Sequence, residues 1–241
     1  MKYAPYVALA SGLFILSAVG LSAATEVIPN LKALPASDIR LAQSGSSTLL
    51  RFSTTGWNDG VGPLEVFAGE IDRENGKQNV YQRIYNTDGT VSREPLVGSF
   101  IWHEAHNHFH FEDYATYTLQ LAGAPGASDR FGQKTTFCIM DTTRMNTKLS
   151  GAPKRPVYDT CGSVVQGMSV GWGDTYGYQL AGQEIDVTGL ADGDYKLIIE
   201  LDPKDKLDET NEGDNVSIID IRISNGTVSV IGGGSRGRGN H

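Results

Sequence analysis

Short β-type segments dominate this sequence, and almost no stretch shows the 3.6-residue spacing of apolar side chains that marks a helix. Residues 195–201 and 216–223 are the clearest segments, because they are rich in β-branched and aromatic residues. Gly, Asn, Asp and Pro residues separate the segments, as turns between strands require. The pattern predicts an all-β fold, an antiparallel β-sandwich with long irregular loops.

Length and charge narrow the class of protein further. The 241 residues are enough for one large domain with a sizeable core. The 28 acidic and 20 basic residues give a net charge of -8, which argues against a nucleic-acid groove or an anionic membrane surface. We therefore expect no nucleic-acid partner, and a charged partner would be a cation.

The first 24 residues have the composition of a secretory leader. Lys2 supplies the positive start, residues 7–20 a small and apolar run, and residues 22–24 a small-residue cleavage site. We expect a signal peptide over residues 1–24, one domain over residues 25–231 and a disordered tail over residues 232–241. The protein would then be secreted, to the periplasm or the extracellular space. The alternative is an uncleaved anchor, since the apolar run approaches the length of a membrane span.

The chain contains two cysteines, Cys138 and Cys161. An even count in an exported protein predicts one disulfide bond between them. The alternative is a pair of buried thiols.

Four of the five histidines lie within residues 102–112. On a β-strand alternate side chains share a face, so His106, His108 and His110 would project together. Neutral imidazoles are common ligands of copper, zinc and non-haem iron, so the spacing predicts a metal site. A straight strand would separate His106 from His110 by roughly 13 Å, and a bulge near His108 would help the rings to converge. The alternative is a solvated, histidine-rich surface strand.

Two further segments follow the histidines in a fixed order. Residues 132–142 read GQKTTFCIMDT and residues 173–176 read GDTY. Together with the segment WHEAHNHFH they resemble the catalytic domain of the lysyl oxidases. That family shows a W-H-x-x-H-x-H-x-H copper motif, a G-x-K-x-x-F-C-x-x-D segment followed by Ser or Thr, and a D-T-Y segment. The likeness runs from about Asn30 to Ile223, and the ordered set is specific although each motif alone is modest.

The resemblance implies that His106, His108 and His110 hold copper, with His103 outside the direct ligands. It also implies that Tyr176 is oxidised to a quinone and that Lys134 adds to it, which gives the cofactor lysine tyrosylquinone. A Cu(II) centre can promote oxidation of a phenol by O2, and a neutral amine can attack the product. The implied activity is oxidation of primary amines, peptidyl lysine included, to aldehydes with release of ammonia and hydrogen peroxide.

Such a reaction needs a base, and three residues are candidates. His103, Asp141 and Asp174 could each serve, and either aspartate could instead cap a turn. The chain departs from animal members at two positions: Gln133 stands where they carry a histidine, and Ala105 occupies a cysteine position. With its short leader and few cysteines, the chain resembles a prokaryotic-type exported member.

The resemblance also implies a calcium site in the acidic loop over residues 202–215. Hard oxygen ligands on a tight loop suit Ca2+, and the alternative is a solvated acidic turn. Asparagine replaces a family aspartate at two positions, which lowers the charge of the ligand set. The implied ligands are Asn30, the Leu31 carbonyl, Glu209, Asn211, Asp214 and Asn215.

Two other functions stay open. The chain could be a noncatalytic copper-binding β-sandwich, used for copper capture or adhesion. It could also be a cupin-like metalloenzyme in which Glu112 joins the histidines, but cupins draw a further histidine from a later strand, and only His241 remains. The presence of Lys134 and Tyr176 in matching contexts favours the amine oxidase.

Overall fold

The computed structural model describes residues 24–104, 107–126 and 128–235. Within these ranges the regular structure consists of β-strands and one turn of 3-10 helix, at Glu212–Asp214. The strands are β1 (Glu26–Val27), β2 (Leu31–Ala33), β3 (Ser37–Ser44), β4 (Ser47–Asn58), β5 (Leu64–Asp72), β6 (Lys77–Gln82), β7 (Ile84–Asn86), β8 (Val91–Arg93), β9 (Leu96–His103), β10 (His108–Phe111), β11 (Ala115–Leu121), β12 (Arg130–Phe131), β13 (Thr143–Arg144), β14 (Val165–Met168), β15 (Trp172–Tyr176), β16 (Glu184–Asp186), β17 (Gly193–Leu201), β18 (Val216–Ser224) and β19 (Thr227–Ser235).

The strands pair antiparallel and confirm the predicted all-β sandwich. One sheet has the order β10-β9-β6-β5-β14, and a second has the order β12-β11-β17-β18-β19. A third has the order β13-β15-β4-β16, with β2 and β3 also paired to β4. A small sheet of β1, β7 and β8 completes the described fold.

Strand β4 connects most of the third sheet. Its far end pairs with β15, with Gly56 opposite Asp174 and Thr54 opposite Tyr176. Its near end pairs with β16, with Arg51 opposite Glu184. The side chains of β4 alternate in burial over residues 49–52, as the period of a strand requires. This long strand therefore holds β15 and the residues that it carries in a fixed register.

The core lies between the sheet of β4 and the sheet of β11 and β17. Phe52 of β4 meets Tyr117 of β11 edge to face, with ring centroids 5.1 Å apart. Phe137 adds a second edge-on contact to Tyr117, at 6.0 Å. Each of these side chains is about 1% exposed or less, and burial of one such side chain stabilises the fold by roughly 1.5–3 kcal/mol.

Strands β9 and β10 form a hairpin, so the strand predicted for the alternating histidines begins only at His108. Strand β9 ends at His103 and strand β10 begins at His108, which lies directly opposite it. The Asn107 amide closes the turn by donating to the His103 carbonyl at 2.9 Å. Asn107 has a positive φ of 56°, a conformation that asparagine tolerates better than most residues. Ala105 and His106 lie outside the described residues.

The last described strand extends further toward the C-terminus than the sequence predicted. Strand β19 continues to Ser235, so residues 232–235 pair with β18 where the sequence predicted a disordered tail. The backbone hydrogen bonds of this ladder explain the difference, and glycine accommodates the φ of +105° at Gly233. Residues 1–23 and 236–241, with most of the predicted leader and His241, lie outside the described residues. Over residues 24–235, with the gaps given above, no helix has the length and hydropathy needed to cross a membrane.

Candidate active site

The β9–β10 hairpin places His103, His108 and His110 near one another. The Nε2 atoms of His108 and His110 lie 2.8 Å apart. The ring centroids of His103 and His110 are separated by 4.8 Å. Trp102 and Phe109 pair with each other at a centroid distance of 5.1 Å, as alternation places them on the other face. The predicted shared face of His108 and His110 is therefore present.

The two described ring nitrogens have a separation that suits a shared metal ion such as copper. Two ligand atoms at about 2.0 Å from an ion and about 90° apart would lie about 2.8 Å from each other. The Nε2 atoms of His108 and His110 have this separation. The Nδ1 atom of His110 hydrogen-bonds with Thr136 Oγ1 at 3.0 Å, a contact that orients the ring as second partners of metal-binding histidines do. The predicted third ligand, His106, lies outside the described residues.

The structure brings Lys134 and Tyr176 together. The Nζ atom of Lys134 lies 4.4 Å from the centroid of the Tyr176 ring. It lies 4.8 Å from the Phe137 ring, which meets Tyr176 edge on at 5.0 Å. The Tyr176 hydroxyl donates to the Cys138 carbonyl at 2.6 Å and accepts from the Cys138 amide at 2.9 Å. The two residues thus meet as the predicted cofactor requires.

Long-range strand pairing explains this meeting. Phe111 of β10 and Phe137 exchange two backbone hydrogen bonds, of 2.7 Å and 3.0 Å, so the lysine loop is tied to the histidine hairpin. Tyr176 is the last residue of β15 and is fixed by its pairing with β4. Gly182 lies against the stem of Lys134, where a Cβ atom would come within 2.8 Å of the lysine Cδ.

His108, His110, Lys134 and Tyr176 open onto one cavity of about 410 Å³. Its size suits a small amine or the side chain of a peptide. The walls are largely apolar, and Asp174 is the only carboxyl group among the described lining residues. These are His108, His110, Lys134, Cys138, Met140, Thr142, Cys161, Asp174, Thr175, Tyr176, Leu180 and Ala181.

Burial changes the titration of the groups in this cavity. It lowers the pKa of Lys134 to about 8, although the nearby Asp174 opposes the change. Burial also raises the pKa of Asp174 to about 8, against hydrogen bonds from the Met140 amide and Thr142 hydroxyl. The pKa of the Tyr176 phenol is raised well above its ordinary value, chiefly by burial. A lysine and a carboxyl group that both titrate near pH 8 therefore face the same space.

The three candidate bases have different surroundings. Asp141 accepts hydrogen bonds from the Ser169 amide and hydroxyl and from the amides of Val157 and Tyr158, so it organises loops. It is absent from the cavity lining, whereas Asp174 is part of it. His103 lines a neighbouring cavity of about 320 Å³ beyond Lys134, with Gln133 on the same wall. Asp174 is the candidate that faces the tyrosine.

Cys138 and Cys161 form a disulfide bond, as the even count predicted, with their Cα atoms 5.4 Å apart. The bond lines the cavity. It also ties the irregular region before residue 161 to the segment that holds the Tyr176 hydroxyl.

The predicted calcium ligands are partly assembled. Asn30 donates to Asp214 at 3.1 Å, and Asn215 donates to Glu209 at 2.6 Å. The Leu31 amide donates to Glu209 at 2.6 Å. The contact of Leu31 with the cluster is therefore made by its N–H group, whereas the resemblance implied its carbonyl. Two buried oxygens, Asp214 Oδ1 and Asn215 Oδ1, have no hydrogen-bond partner among the described residues. Buried oxygen atoms without a hydrogen-bond partner are suitable ligands for a hard cation such as Ca2+.

Asn211 and Glu212 depart from that prediction. The Asn211 side chain accepts from the Gly213 amide at 3.1 Å and so caps the 3-10 turn. Glu212 instead reaches Asn215, whose amide donates to it at 3.0 Å. Carboxylate oxygens of Glu212, Asp202 and Asp205 lie within 4.8 Å of one another. The sequence did not single out these three acids as a group. The high density of acidic residues over residues 202–214 is the feature that could have indicated them.

Glu112 does not join the histidines. Its carboxylate pairs with Lys77 at 2.8 Å and accepts a hydrogen bond from Ser99. It is absent from the lining of the histidine cavity. The cupin-like hypothesis therefore lacks the carboxylate ligand on which it depended.

Several curated proteins are similar to part of this chain. Lysyl oxidase homolog 3A of Danio rerio is 32% identical over 129 residues, which cover 53% of this chain and 16% of that protein. Lysyl oxidase homolog 4 of Mus musculus is 31% identical over 136 residues, 56% of this chain and 17% of that protein. Lysyl oxidase homolog 1 of Homo sapiens is 33% identical over 128 residues, 53% of this chain and 21% of that protein. The chain thus spans only a small part of the length of these relatives.

A family model gives a broader match. The model described as Lysyl oxidase matches residues 79–232, which is more than half of the chain. The matched segment contains the histidine hairpin, the lysine loop and β15. The chain therefore belongs to the lysyl oxidase family.

Proposed function

We propose that this protein is a secreted or periplasmic copper-dependent amine oxidase. It would convert primary amines, with peptidyl lysine among the candidate substrates, to aldehydes with release of ammonia and hydrogen peroxide. One observation carries the proposal: the Lys134 amine lies 4.4 Å from the Tyr176 ring centroid, in a cavity lined by His108 and His110. A noncatalytic copper-binding protein would need the histidines but neither Lys134 nor Tyr176.

The residues present fit both groups that the family implies. His106, His108 and His110 would hold copper, and Tyr176 with Lys134 would form lysine tyrosylquinone. When bound, these groups would supply an electrophilic carbonyl and the capacity to pass electrons from the amine to O2.

Lys134 would contribute a neutral amine. With a pKa of about 8, roughly a tenth of the Lys134 side chains are uncharged at pH 7. An ordinary lysine would be uncharged in well under about 0.1% of molecules. Only the uncharged amine has a lone pair for attack, so burial activates Lys134.

Asp174 would serve as the base. Its carboxyl group lies in the cavity wall beside Tyr176, and burial raises its pKa to about 8. A base with a pKa near the working pH accepts a proton from carbon more readily than an ordinary aspartate, and it is still partly ionised. Asp141 is fully occupied by amide and hydroxyl donors and stays a structural residue.

The apolar walls would hold the carbon chain of the amine. Met140, Leu180, Ala181 and the disulfide between Cys138 and Cys161 supply most of this surface. Such walls exclude water from the reacting groups and strengthen the charge interactions between them. An aliphatic amine, or a lysine side chain projecting from a peptide, matches this lining.

The proposal is tested by peptide mapping of the full-length protein after loading with copper under air. We expect mass spectrometry to find the peptides of Lys134 and Tyr176 joined in the copper-loaded sample and separate in a copper-free sample. Tyr176→Phe should abolish both the joined peptide and amine-dependent peroxide. Tyr178→Phe is the matched control, because the Tyr178 ring packs against Arg40, with Arg40 Cζ 3.6 Å from the ring centroid, and is absent from the cavity lining. Separate peptides from fully copper-loaded protein would leave the noncatalytic copper-binding function.

We also propose that the cluster of Asn30, Glu209, Asp214 and Asn215 binds Ca2+. Hydrogen bonds already hold these side chains together between the start of β2 and the loop before β18. A bound cation would remove the repulsion between Glu209 and Glu212, whose pKa values are raised to about 8 and about 7, chiefly by burial. Calcium would thus stabilise the contact between distant parts of the chain.

A further inference from the structure

The hydroxyl group of Tyr114 is buried and has no hydrogen-bond partner among the described residues. The residue is 3% exposed, and its backbone is fixed by hydrogen bonds to Thr135 and Asp202. Its ring also meets Phe137 at a centroid distance of 5.8 Å. The hydroxyl therefore cannot turn to solvent, and a buried donor without a partner calls for an explanation.

A small internal cavity lies beside this hydroxyl. Its volume is about 10 Å³, close to the space that one water molecule needs. Its lining residues with polar side chains are Thr54, Tyr114, Tyr117, Asp174 and Tyr176, of which the Tyr176 hydroxyl is already bonded to Cys138. A buried water requires two to four polar partners, and this lining supplies them.

Gly56 keeps the cavity open. It lies directly opposite Asp174 in the pairing of β4 with β15. A Cβ atom at this position would come within 3.2 Å of the Tyr114 hydroxyl and 2.9 Å of Leu201 Cδ1. The missing side chain thus leaves room between the phenol and the aspartate.

Asp174 lies between this cavity and the larger one. Asp174 and Tyr176 are the two residues that line both spaces. The Asp174 carboxyl accepts one hydrogen bond from the Met140 amide and one from the Thr142 hydroxyl, each 3.3 Å long. A carboxylate has about four acceptor positions, so it can accept a further donor from the small cavity.

We propose that the small cavity binds one water molecule that accepts the Tyr114 O–H and donates to the Asp174 carboxylate. Tyr114 is then a positioning residue that acts on the base from the small cavity and does not line the larger one. Thr54 and Tyr117, whose hydroxyls lie 3.1 Å apart, provide the remaining polar contacts. The water site stands on its own, and only its catalytic consequence rests on the proposed function.

The water favours the ionised form of Asp174. A hydrogen bond donated to a carboxylate lowers its pKa, so the water offsets part of the effect of burial. The charged residues that act on Asp174 are Lys134 and Asp141, and its other titratable neighbours are Tyr114, Tyr117 and Tyr176. Loss of the water alone, with these groups unchanged, raises the pKa of Asp174.

The test uses the full chain purified without copper. The Asp174 carboxyl is titrated by infrared difference spectroscopy, with Asp174→Asn to assign its band. Tyr114→Phe removes the hydroxyl, and Gly56→Ala keeps the hydroxyl but fills the cavity. We expect each variant to raise the midpoint by about 0.5–1 pH unit. Tyr195→Phe is the control, because the Tyr195 hydroxyl donates to Ala191 away from the site. An unchanged midpoint in either test variant would overturn the proposal.

Two further measurements separate this proposal from the amine oxidase function. In a crystal structure of the copper-free protein, we expect one water peak within hydrogen-bond distance of the Tyr114 oxygen, and an empty cavity would contradict the water site. In copper-loaded enzyme with unchanged quinone content, Tyr114→Phe should move the acid limb of the pH profile to higher pH, because the base must be ionised. A failure of the amine oxidase function leaves the copper-free titration and the crystal structure valid.

Discussion

Lys134 is surrounded mainly by groups without charge. The rings of Tyr176 and Phe137 face its amine at 4.4 Å and 4.8 Å, and the backbone of Gly182 covers its stem. Desolvation is therefore the main cause of its lowered pKa, and Asp174 only moderates the effect. The same contacts that bring the amine to the phenol also lower the pKa of the amine.

The lowered pKa predicts how Lys134 reacts with an amine reagent. The uncharged fraction should rise through a midpoint near pH 8, because burial disfavours the ammonium form. Competitive labelling of copper-free protein with acetic anhydride, followed by mass spectrometry, measures this midpoint. Lys204 is the internal control, since its pairing with Asp113 raises its pKa above the ordinary value. A Lys134 midpoint as high as that of Lys204 would contradict the desolvated environment.

Gly182 predicts a defect in cofactor formation. A Cβ atom here would come within 2.8 Å of Lys134 Cδ at a φ of +82°, so Gly182→Ala should displace the lysine from the ring. We expect the yield of joined Lys134 and Tyr176 peptides to fall at least about tenfold, a loss typical of an ångström-scale misplacement. Gly189→Ala is the matched control, since φ there is +72° with no atom within 4 Å of the added Cβ. An equal loss of joined peptide in both variants, relative to the parent protein, would show that backbone strain, and not the lysine contact, is responsible.

The elements that carry the site are a hairpin, a loop and one short strand. His108 and His110 were assigned correctly to a strand, but the spacing of the histidines did not reveal the turn between His103 and His108. Directly opposite residues share a face, and His103 and His108 are five positions apart, so the phase of the alternation changes across the turn and the period within residues 106–110 did not include His103. The turn makes His103 a cross-strand neighbour of His108, which the linear spacing did not suggest.

The acidic loop predicts a response to calcium. Addition of Ca2+ should raise the melting temperature, because an ion that binds only the folded state stabilises it by about 2.7 kcal/mol at 100 times its dissociation constant. Glu209→Gln should abolish this rise, since Glu209 contacts both Leu31 and Asn215. Asn211→Ala should retain it, because the Asn211 side chain caps the 3-10 turn. Scanning calorimetry with calcium or a chelator measures the shift, and an equal rise in the Glu209→Gln protein would refute the site.

At the scale of the whole molecule, distant segments are joined through β4 and through one disulfide. Strand β4 pairs with β2, β3, β15 and β16, so most long-range order of the third sheet passes through it. The disulfide closes a separation of 23 residues between Cys138 and Cys161. The described part of this region has only short strands, so the bond supplies much of its restraint.

Removal of the disulfide should lower the stability of the whole domain. A double Cys138→Ser and Cys161→Ser variant should lose about 3 kcal/mol of unfolding free energy, because a loop of this length then gains entropy in the unfolded chain. Urea unfolding of the variant and of the parent protein measures the difference. Equal midpoints would show that the core alone holds the irregular region in place.

The sequence by itself determined the all-β class, the strand segments such as β17 and β18, and the motifs that mark the family. These features are local, because alternation and β-propensity depend on neighbouring residues. Only the tertiary structure decided that Lys134 meets Tyr176, that Asp141 organises loops while Asp174 faces the cavity, and that Asn211 caps a turn. Proximity and desolvation arise from strand pairing between distant segments, so no local pattern in the chain specifies them.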